Sequence, residues 1–168
     1  MKKVKIQSSK GSLAVVINYS KKESEKLAIL CPGYLDSKDY NHLVGLDKSL
    51  NQEDYTTVRF EPTGTWGSEG CISDYTTTQY LKDIRIILEY MLKKSNYKHT
   101  LIGGHSKGGQ MSILYAAEDS RVSLVLAIMP SSNKTIVGKK YKEWKRKGIN
   151  ISYRDLPTNK NKTKEFHV

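Results

Sequence analysis

A short apolar run that stops at paired glycines and continues as a helix is the feature that most constrains the fold. The run begins at Leu101, and the sequence reads Leu-Ile-Gly-Gly-His-Ser-Lys-Gly-Gly as far as Gly109. The apolar residues predict a buried strand, and the glycines predict a sharp turn after it. Apolar residues at helical spacing predict a helix from Gly108 to Ala117. A strand followed directly by a helix is typical of a parallel sheet covered by helices.

The rest of the chain alternates between strands and helices in the same way. A hairpin is predicted around residues 9–12, and a helix from Ser73 or Asp74 to about Lys94 has six apolar side chains on one face. The predicted strands are Val4–Ile6, Leu13–Tyr19, Leu27–Cys31, Tyr55–Phe60, Thr100–Ile102 and a buried Val122–Met129, and the other predicted helices are Asp36–Asn51 and Lys139–Lys147. This order predicts a three-layer α/β/α sandwich with a mostly parallel sheet.

The positive charge of the chain is concentrated at its C-terminal end. The 168 residues have a formal net charge of +11, yet 17 basic and 14 acidic residues precede Lys134, against 11 and 3 from there on. We therefore expect a nearly neutral domain at residues 1–133 and a basic segment at residues 134–168. Within that segment, Thr158–Val168 has little to bury and is expected to be loose unless more chain follows. Nucleic-acid binding by residues 139–164 has only this charge in its favour, and no recognised motif accompanies it.

Cysteine content and hydropathy indicate the cellular compartment in which the protein is expected. Two cysteines, Cys31 and Cys71, are too few for the disulfide framework of a small secreted domain. No apolar stretch of signal-peptide length follows the basic first residues, and nowhere do about twenty apolar residues follow one another. The expectation is a cytoplasmic protein without a membrane span, and the residues predict no oligomeric state.

Ser106 stands at the centre of a Gly-x-Ser-x-Gly pattern between Gly104 and Gly108. A strained turn of this kind lifts a serine hydroxyl above the sheet, and the crowded backbone leaves room only for small residues at the two glycine positions. The N-terminus of the following helix places partial positive charge beside the serine, which favours a developing oxyanion. The alternative interpretation is an ordinary turn serine in a phosphate-binding or packing loop.

Three segments, in this order along the chain, resemble the α/β-hydrolase family. Cys31-Pro32-Gly33-Tyr34 resembles its His-Gly-aromatic segment with proline in place of histidine, and the loop from Phe60 to Gly70 resembles its Asp-x-x-Gly-x-Gly-x-Ser-x-Gly loop. The turn around Ser106 is similar to its Gly-His-Ser-x-Gly turn. The resemblance covers about residues 4–133, and the nearest group is the small bacterial hydrolases related to cinnamoyl esterases and serine aminopeptidase-like enzymes. It implies a hydrolase, without cofactor, that cleaves an ester, thioester or amide in a small-molecule acyl substrate.

The same resemblance implies roles for individual residues. Ser106 would be the nucleophile, and the backbone N–H groups of Tyr34 and Lys107 would form the oxyanion hole. Lys107 stands where the family more usually has an uncharged residue, so it either favours an anionic substrate group or faces solvent or an acid. Trp66 either lines the acyl pocket or pins its loop.

The family also requires an acid and then a histidine after the serine helix. Asp155, Glu165 and His167 occur in a permissible order, but no predicted strands hold them near Ser106. Residues 134–168 instead resemble the lid that the family inserts before the strand bearing the acid, which implies a chain that lacks the last strands of the fold. The alternative function is a non-catalytic fragment or pseudoenzyme that keeps the fold and acts as a binding module.

The remaining histidines and cysteines predict no metal site. His42 and His99 have no partner at a metal-binding spacing, and no cluster of cysteines and histidines occurs in the sequence. His105 is expected to pack beside the turn, and Cys31 to be an inert thiol at the end of a buried strand. The reactivity of Cys71 depends on its exposure, which the sequence does not reveal.

Overall fold

A computed structural model describes residues 1–132 and 139–168 of the chain. These residues separate into two compact units, Met1–Ser131 and Ser132–Val168. The boundary predicted between residues 133 and 134 lies outside the described residues, as does the start of the basic segment. None of the described helices has both the length and the apolar composition that crossing a membrane requires.

The first unit is a six-stranded sheet with helices on both faces. Its strands are β1 (Lys2–Ser8), β2 (Gly11–Asn18), β3 (Lys26–Cys31), β4 (Thr56–Phe60), β5 (His99–His105) and β6 (Leu124–Ile128), and its helices are α1 (Asn41–Gln52), α2 (Thr77–Leu92) and α3 (Lys107–Glu118). The spatial order is β1-β2-β4-β3-β5-β6. The β1–β2 and β2–β4 pairs are antiparallel, and the other three pairs are parallel. The predicted three-layer α/β/α architecture with a mostly parallel sheet is confirmed.

The main apolar core lies between one face of the sheet and the helices α2 and α3. Its helical members are Tyr80, Ile84, Ile87, Leu88, Met91, Met111 and Tyr115, all at most 1% exposed. Because side chains alternate along a strand, Val58 and Phe60 of β4 join this core, whereas Thr57 and Arg59 point to the opposite face. Helix α1 covers that opposite face.

A buried ion pair joins α1 to β4. Arg59 donates from Nε to Oδ2 of Asp47 at 2.9 Å, and each of the two side chains is only 4% exposed. The same guanidinium donates to the carbonyl oxygen of Lys38 and, at 2.9 Å, to Oδ1 of Asp39. Arg59 therefore anchors both α1 and the loop that precedes it to the sheet.

Helix α1 begins at Asn41, with Tyr40 as its N-cap, so the predicted start at Asp36 is wrong. Residues 33–40 instead form turns in which the N–H of Asp36 donates to the carbonyl oxygen of Gly33 at 3.2 Å. Tertiary contacts keep this loop out of the helical conformation, since the hydroxyl of Ser37 donates a hydrogen bond to the carboxylate of Glu61, the residue after β4. These contacts between distant residues outweigh the local capping preference of an aspartate.

Strand β6 is not the fully buried strand that its sequence predicts. It forms one edge of the six-stranded sheet and pairs only with β5 among the described strands. Leu124 is therefore 53% exposed and Ile128 39% exposed. The apolar composition of a central strand and of this edge strand is the same, so composition could not distinguish them.

The second unit consists of helix α4 (Lys139–Lys147) and the strands β7 (Ile151–Leu156) and β8 (Asn159–His167). The basic helix agrees with the prediction, but the prediction that Thr158–Val168 is loose is wrong. Strand β8 pairs with β7 in antiparallel register, and Phe166 on it is buried. This lysine-rich segment is ordered by backbone hydrogen bonds between two strands joined by a tight turn. Amino-acid composition does not predict such bonds.

Replacing Asp47 with alanine is expected to lower the free energy of unfolding by about 3 kcal/mol, because the Arg59 charge stays buried without its partner. The matched control is Glu25→Ala, since Glu25 pairs with Lys98 at 2.5 Å on the surface. This control should lose less than about 1 kcal/mol. Urea denaturation followed by circular dichroism measures both changes. Equal losses in the two variants would contradict the anchoring role of the buried pair.

Candidate active site

Ser106 occupies a strained turn between β5 and α3. Its φ of 53° and ψ of −117° lie outside the regions favoured by residues with a side chain, and it is the N-cap residue of α3. Three backbone hydrogen bonds hold the turn. The N–H of Ser106 donates to the carbonyl oxygen of Ile128 at 3.0 Å, and its own carbonyl oxygen accepts from Ser131 at 3.0 Å and Gln110 at 3.1 Å. The structure thus has the sharp turn that the sequence predicts at this position.

Backbone crowding explains the two glycines of the turn. A β-carbon on Gly104 would overlap the carbonyl oxygen of Cys31 and would lie 2.9 Å from the carbonyl carbon of Gly108. A β-carbon on Gly108 would overlap the same Cys31 oxygen and lie 2.7 Å from the carbonyl oxygen of Pro32. Real β-carbons do not approach backbone atoms this closely. The end of β3 therefore packs directly on the turn that carries Ser106.

Tyr34 and Lys107 lie at the same edge of the sheet as Ser106. Cys31 and Gly104 pair in parallel register, so the segment after β3 and the turn after β5 leave the sheet side by side. A β-carbon on Gly33 would lie 3.5 Å from the carbonyl oxygen of His105. Lys107 is the first residue of α3, where backbone N–H groups have no acceptor within the helix. Their shared role as oxyanion donors stays a prediction.

Tyrosine and tryptophan side chains hold the loop after β3 in place. The hydroxyl of Tyr80 donates to the carbonyl oxygen of Pro32 at 2.8 Å, and the hydroxyl of Tyr75 accepts from the N–H of Leu35 at 3.3 Å. Trp66 donates from its indole N–H to the carbonyl oxygen of Leu35 at 2.9 Å, so it pins this loop. Tyr80 is one of the six side chains on the apolar face of the helix predicted to end at about Lys94, and the spacing of those side chains does not predict the hydrogen bond that its hydroxyl donates.

Glu61 connects the loop after β3 to the loop after β4. Its carboxylate, 3% exposed, accepts from the hydroxyl of Ser37 at 3.0 Å and from Nζ of Lys38 at 3.2 Å. It also accepts from the backbone N–H of Gly67 at 2.8 Å. A buried carboxylate is stable only with such partners, so this residue fixes the two loops relative to each other.

The side chain of Lys107 is half-buried beside the turn. Its Nζ lies 5.5 Å from the centroid of the Tyr75 ring, which is within the range of a cation–π contact. Burial lowers the pKa of Lys107 below its usual value. It forms no ion pair with any residue in the described part of the chain.

Asp155 and His167 lie at opposite ends of the β7–β8 hairpin. His167 pairs in register with Ile151, whereas Asp155 pairs with Thr163, so four residues of extended strand, roughly 13 Å, separate the two positions. The imidazole of His167 instead forms an exposed ion-pair contact with Glu165. The hairpin therefore does not bring Asp155 and His167 together as an acid–histidine pair.

A group of three side chains beside the turn has no counterpart in the sequence pattern. One ligand atom from each of Asp36, His42 and His105 lies within 4.8 Å of the other two. Nε2 of His42 is 3.8 Å from Oδ2 of Asp36, and the rings of the two histidines are 5.5 Å apart. Desolvation lowers the pKa of His42 although Asp36 raises it. Sequence spacing missed the group because the residues come from a loop, a helix and a strand.

The two histidines of this group also line a cavity of about 260 Å³. Its other walls are Leu43 and Leu46 of α1 and Ile128 at the end of β6. The cavity is mainly apolar and is open to solvent at the sheet edge that carries Ser106. It is a candidate pocket for an apolar part of a ligand.

Comparison with known proteins places the chain in a family. A sequence profile of the α/β hydrolase fold matches residues 27–161. The chain belongs to the α/β hydrolase family. A comparison with curated proteins found no match.

Several solved α/β hydrolases have a similar structure. Est1E from Butyrivibrio proteoclasticus, solved with ferulic acid bound, is 26% identical at a TM-score of 0.69, over 76% of this chain and 52% of Est1E. The chain thus spans about half the length of this relative. GrgF from Penicillium sp. sh18 is 20% identical at a TM-score of 0.71, over 77% of this chain and 45% of its own. An esterase from Pyrococcus furiosus is 19% identical at a TM-score of 0.68, over 77% and 49%. At these identities, the last two show the fold alone.

Replacing Gly108 with alanine is expected to lower the free energy of unfolding by about 1–3 kcal/mol, because the new methyl group overlaps the Cys31 carbonyl oxygen. Gly45→Ala is the matched control, since a β-carbon at this α1 position has no neighbour within 4 Å. The control should raise stability by about 0.5–1 kcal/mol through helix propensity. Chemical denaturation of both variants measures the changes, and a loss in Gly45→Ala or none in Gly108→Ala would refute the crowding argument.

In the native α/β hydrolase, a disulfide reagent is expected to modify Cys71 and to leave Cys31 unmodified. Cys31 is fully buried, and burial raises the pKa of its thiol to about 12, so almost none of the reactive thiolate exists at neutral pH. Cys71 is exposed. Cys71→Ser should therefore show no fast reaction in native buffer and one reactive thiol in denaturant. A fast native reaction of this variant would contradict the burial of Cys31.

Proposed function

We propose that this α/β hydrolase cleaves a carboxylic ester through an acyl-enzyme on Ser106. The observation that carries the proposal is the strained Ser106 turn at the N-terminus of α3, with the loop of Tyr34 packed against it. Backbone strain at a single polar residue costs free energy and is retained where it positions a reacting group. The family resemblance and the structural similarity to Est1E support the same reaction class.

The proposed reaction has two steps. In the first, Oγ of Ser106 attacks the ester carbonyl carbon, its proton passes to a base, and the alcohol leaves after taking up a proton. In the second, water attacks the acyl-enzyme, and the acid is released as the serine hydroxyl reforms. The N–H groups of Lys107 and Tyr34 would donate to the oxyanion of both tetrahedral intermediates, and the positive end of α3 would stabilise the same charge.

The acyl group is proposed to be apolar or aromatic. The cavity bounded by Leu43, Leu46 and Ile128 is apolar and is also lined by His105, the residue before Ser106. Est1E, which binds ferulic acid in its solved structure, supports a test with esters of hydroxycinnamic acids. Methyl ferulate and p-nitrophenyl acetate are therefore suitable probes of a large and a small acyl group.

A second candidate function is non-catalytic binding by the same fold. It is favoured by the separation of Asp155 from His167 in the β7–β8 hairpin, because these two residues do not form the acid–histidine pair that the family order requires. A serine without its base retains only the small rate due to binding and the oxyanion hole. Under this alternative the chain would bind acyl compounds without turning them over.

A fluorophosphonate is expected to add one covalent label to the native chain, because a nucleophilic serine attacks its phosphorus. Ser106→Ala should abolish the label and lower ester turnover at least about 100-fold. Intact-protein mass spectrometry measures the label, and release of p-nitrophenol measures turnover. The matched control is Ser131→Ala, since the Ser131 hydroxyl lies near the same turn but bonds to Gln110 at 3.0 Å. It should label and turn over as the wild type does.

The outcomes separate the two candidate functions. Labelling that survives Ser106→Ala would refute Ser106 as the nucleophile. A chain that folds, takes no label and hydrolyses neither ester above the rate in buffer would refute the catalytic proposal and favour the binding module. Saturable binding of ferulate by that inactive chain would then support the second function.

A further inference from the structure

We infer that Asp36, His42 and His105 form a binding site for a single Zn²⁺ ion beside the Ser106 turn. Their three donor atoms lie within 4.8 Å of one another. Imidazole nitrogen and carboxylate oxygen are ligands that zinc takes in proteins, and two histidines with one carboxylate form a recognised three-ligand set. Such a set leaves a fourth position for water or a ligand anion.

The separations are close to those of a bound site. With zinc–ligand bonds of about 2.1 Å, the donor atoms of a tetrahedral site lie about 3.4 Å apart. Nε2 of His42 and Oδ2 of Asp36 are 3.8 Å apart, so this pair needs only a small contraction. The side chain of His42 is 46% exposed and free of the packed core, so rotation of its ring can bring it closer to His105.

An independent observation at His105 points to a ligand. Its Nδ1 atom is buried and has no hydrogen-bond partner in the described part of the chain. A buried polar nitrogen without a partner is costly, and coordination of a cation is one way to satisfy it. The ring of His105 lies edge-on to that of His42 with the ring centroids 5.5 Å apart, so the unsatisfied nitrogen belongs to a side chain of the same cluster.

A zinc ion can reach the site from solvent, and its binding would stabilise the fold. His42 and His105 line the solvent-open cavity of about 260 Å³, which supplies an entry path. Asp36 belongs to the loop after β3, His42 to α1 and His105 to the end of β5. A bound zinc ion would therefore crosslink the loop to the strand that carries the turn, and it would raise the thermal stability of the folded chain.

The test is zinc titration of the purified full chain after removal of affinity tags and dialysis against a chelator. Isothermal titration calorimetry at neutral pH should show one Zn²⁺ per chain, and differential scanning calorimetry should show a higher Tm with zinc. His42→Ala and Asp36→Asn should each weaken zinc binding at least about 10-fold and reduce the zinc-dependent rise in Tm. Circular dichroism establishes that both variants are folded, and a His42→Gln variant replaces either one that is not.

Two control variants remove histidines outside the cluster. His99 lies at the opposite end of β5, and His167 lies in the β7–β8 hairpin beside Glu165. His99→Ala and His167→Ala should bind zinc as the wild type does. The proposal is overturned if no stoichiometric binding occurs, if His42→Ala binds as tightly as the wild type, or if a control variant loses binding to the same extent.

The zinc site is separable from the proposed hydrolase activity. Ser106→Ala removes the nucleophile but none of the three ligands, so it should bind zinc with unchanged affinity. Zinc binding by an inactive chain would leave the metal site standing and the hydrolase proposal refuted. Ester turnover by a chain that does not bind zinc would refute the metal site and leave the hydrolase proposal standing.

Discussion

The contact between the carbonyl oxygen of Cys31 and the glycines that flank Ser106 is the constraint on which the site depends. Strands β3 and β5 pair in register up to Cys31 and Gly104, so their ends reach the same edge of the sheet together. Only glycine at positions 104 and 108 lets the chain reverse there without displacing that oxygen. The reversal gives Ser106 its strained conformation and directs α3 back across the sheet.

The loops around this turn are held by polar groups that are themselves buried. Glu61 connects the loops after β3 and β4, and Arg59 connects the first of these loops to the sheet and, through Asp47, to α1. Tyr80 and Trp66 bind backbone carbonyl oxygens of the same loop. Because Glu61, Arg59 and Tyr80 are buried, the loss of one of their partners leaves an unsatisfied charge or dipole, so the loop geometry is strongly specified.

Local sequence patterns were sufficient to predict most helices and strands of the first unit, because apolar residues recur with different periods in amphipathic helices and in strands. They failed where a distant contact overrode a local preference. Asp36 has a capping side chain, yet the loop that contains it is held by Glu61, and the helix starts at Asn41. Strand β6 has the composition of a central strand, yet it lies at the sheet edge. The polar strand β8 is ordered by its pairing with β7 rather than by apolar residues.

The sequence by itself determined the strand–turn–helix at Ser106, since the glycine spacing reflects a backbone clash that any such turn must avoid. It also determined the mostly parallel sheet, through the alternation of strands with helices. Only the tertiary structure decided that Asp36, His42 and His105 meet, because they come from three different elements. It likewise decided that Asp155 and His167 stay apart, because an extended hairpin fixes the distance between residues that are near each other in sequence order.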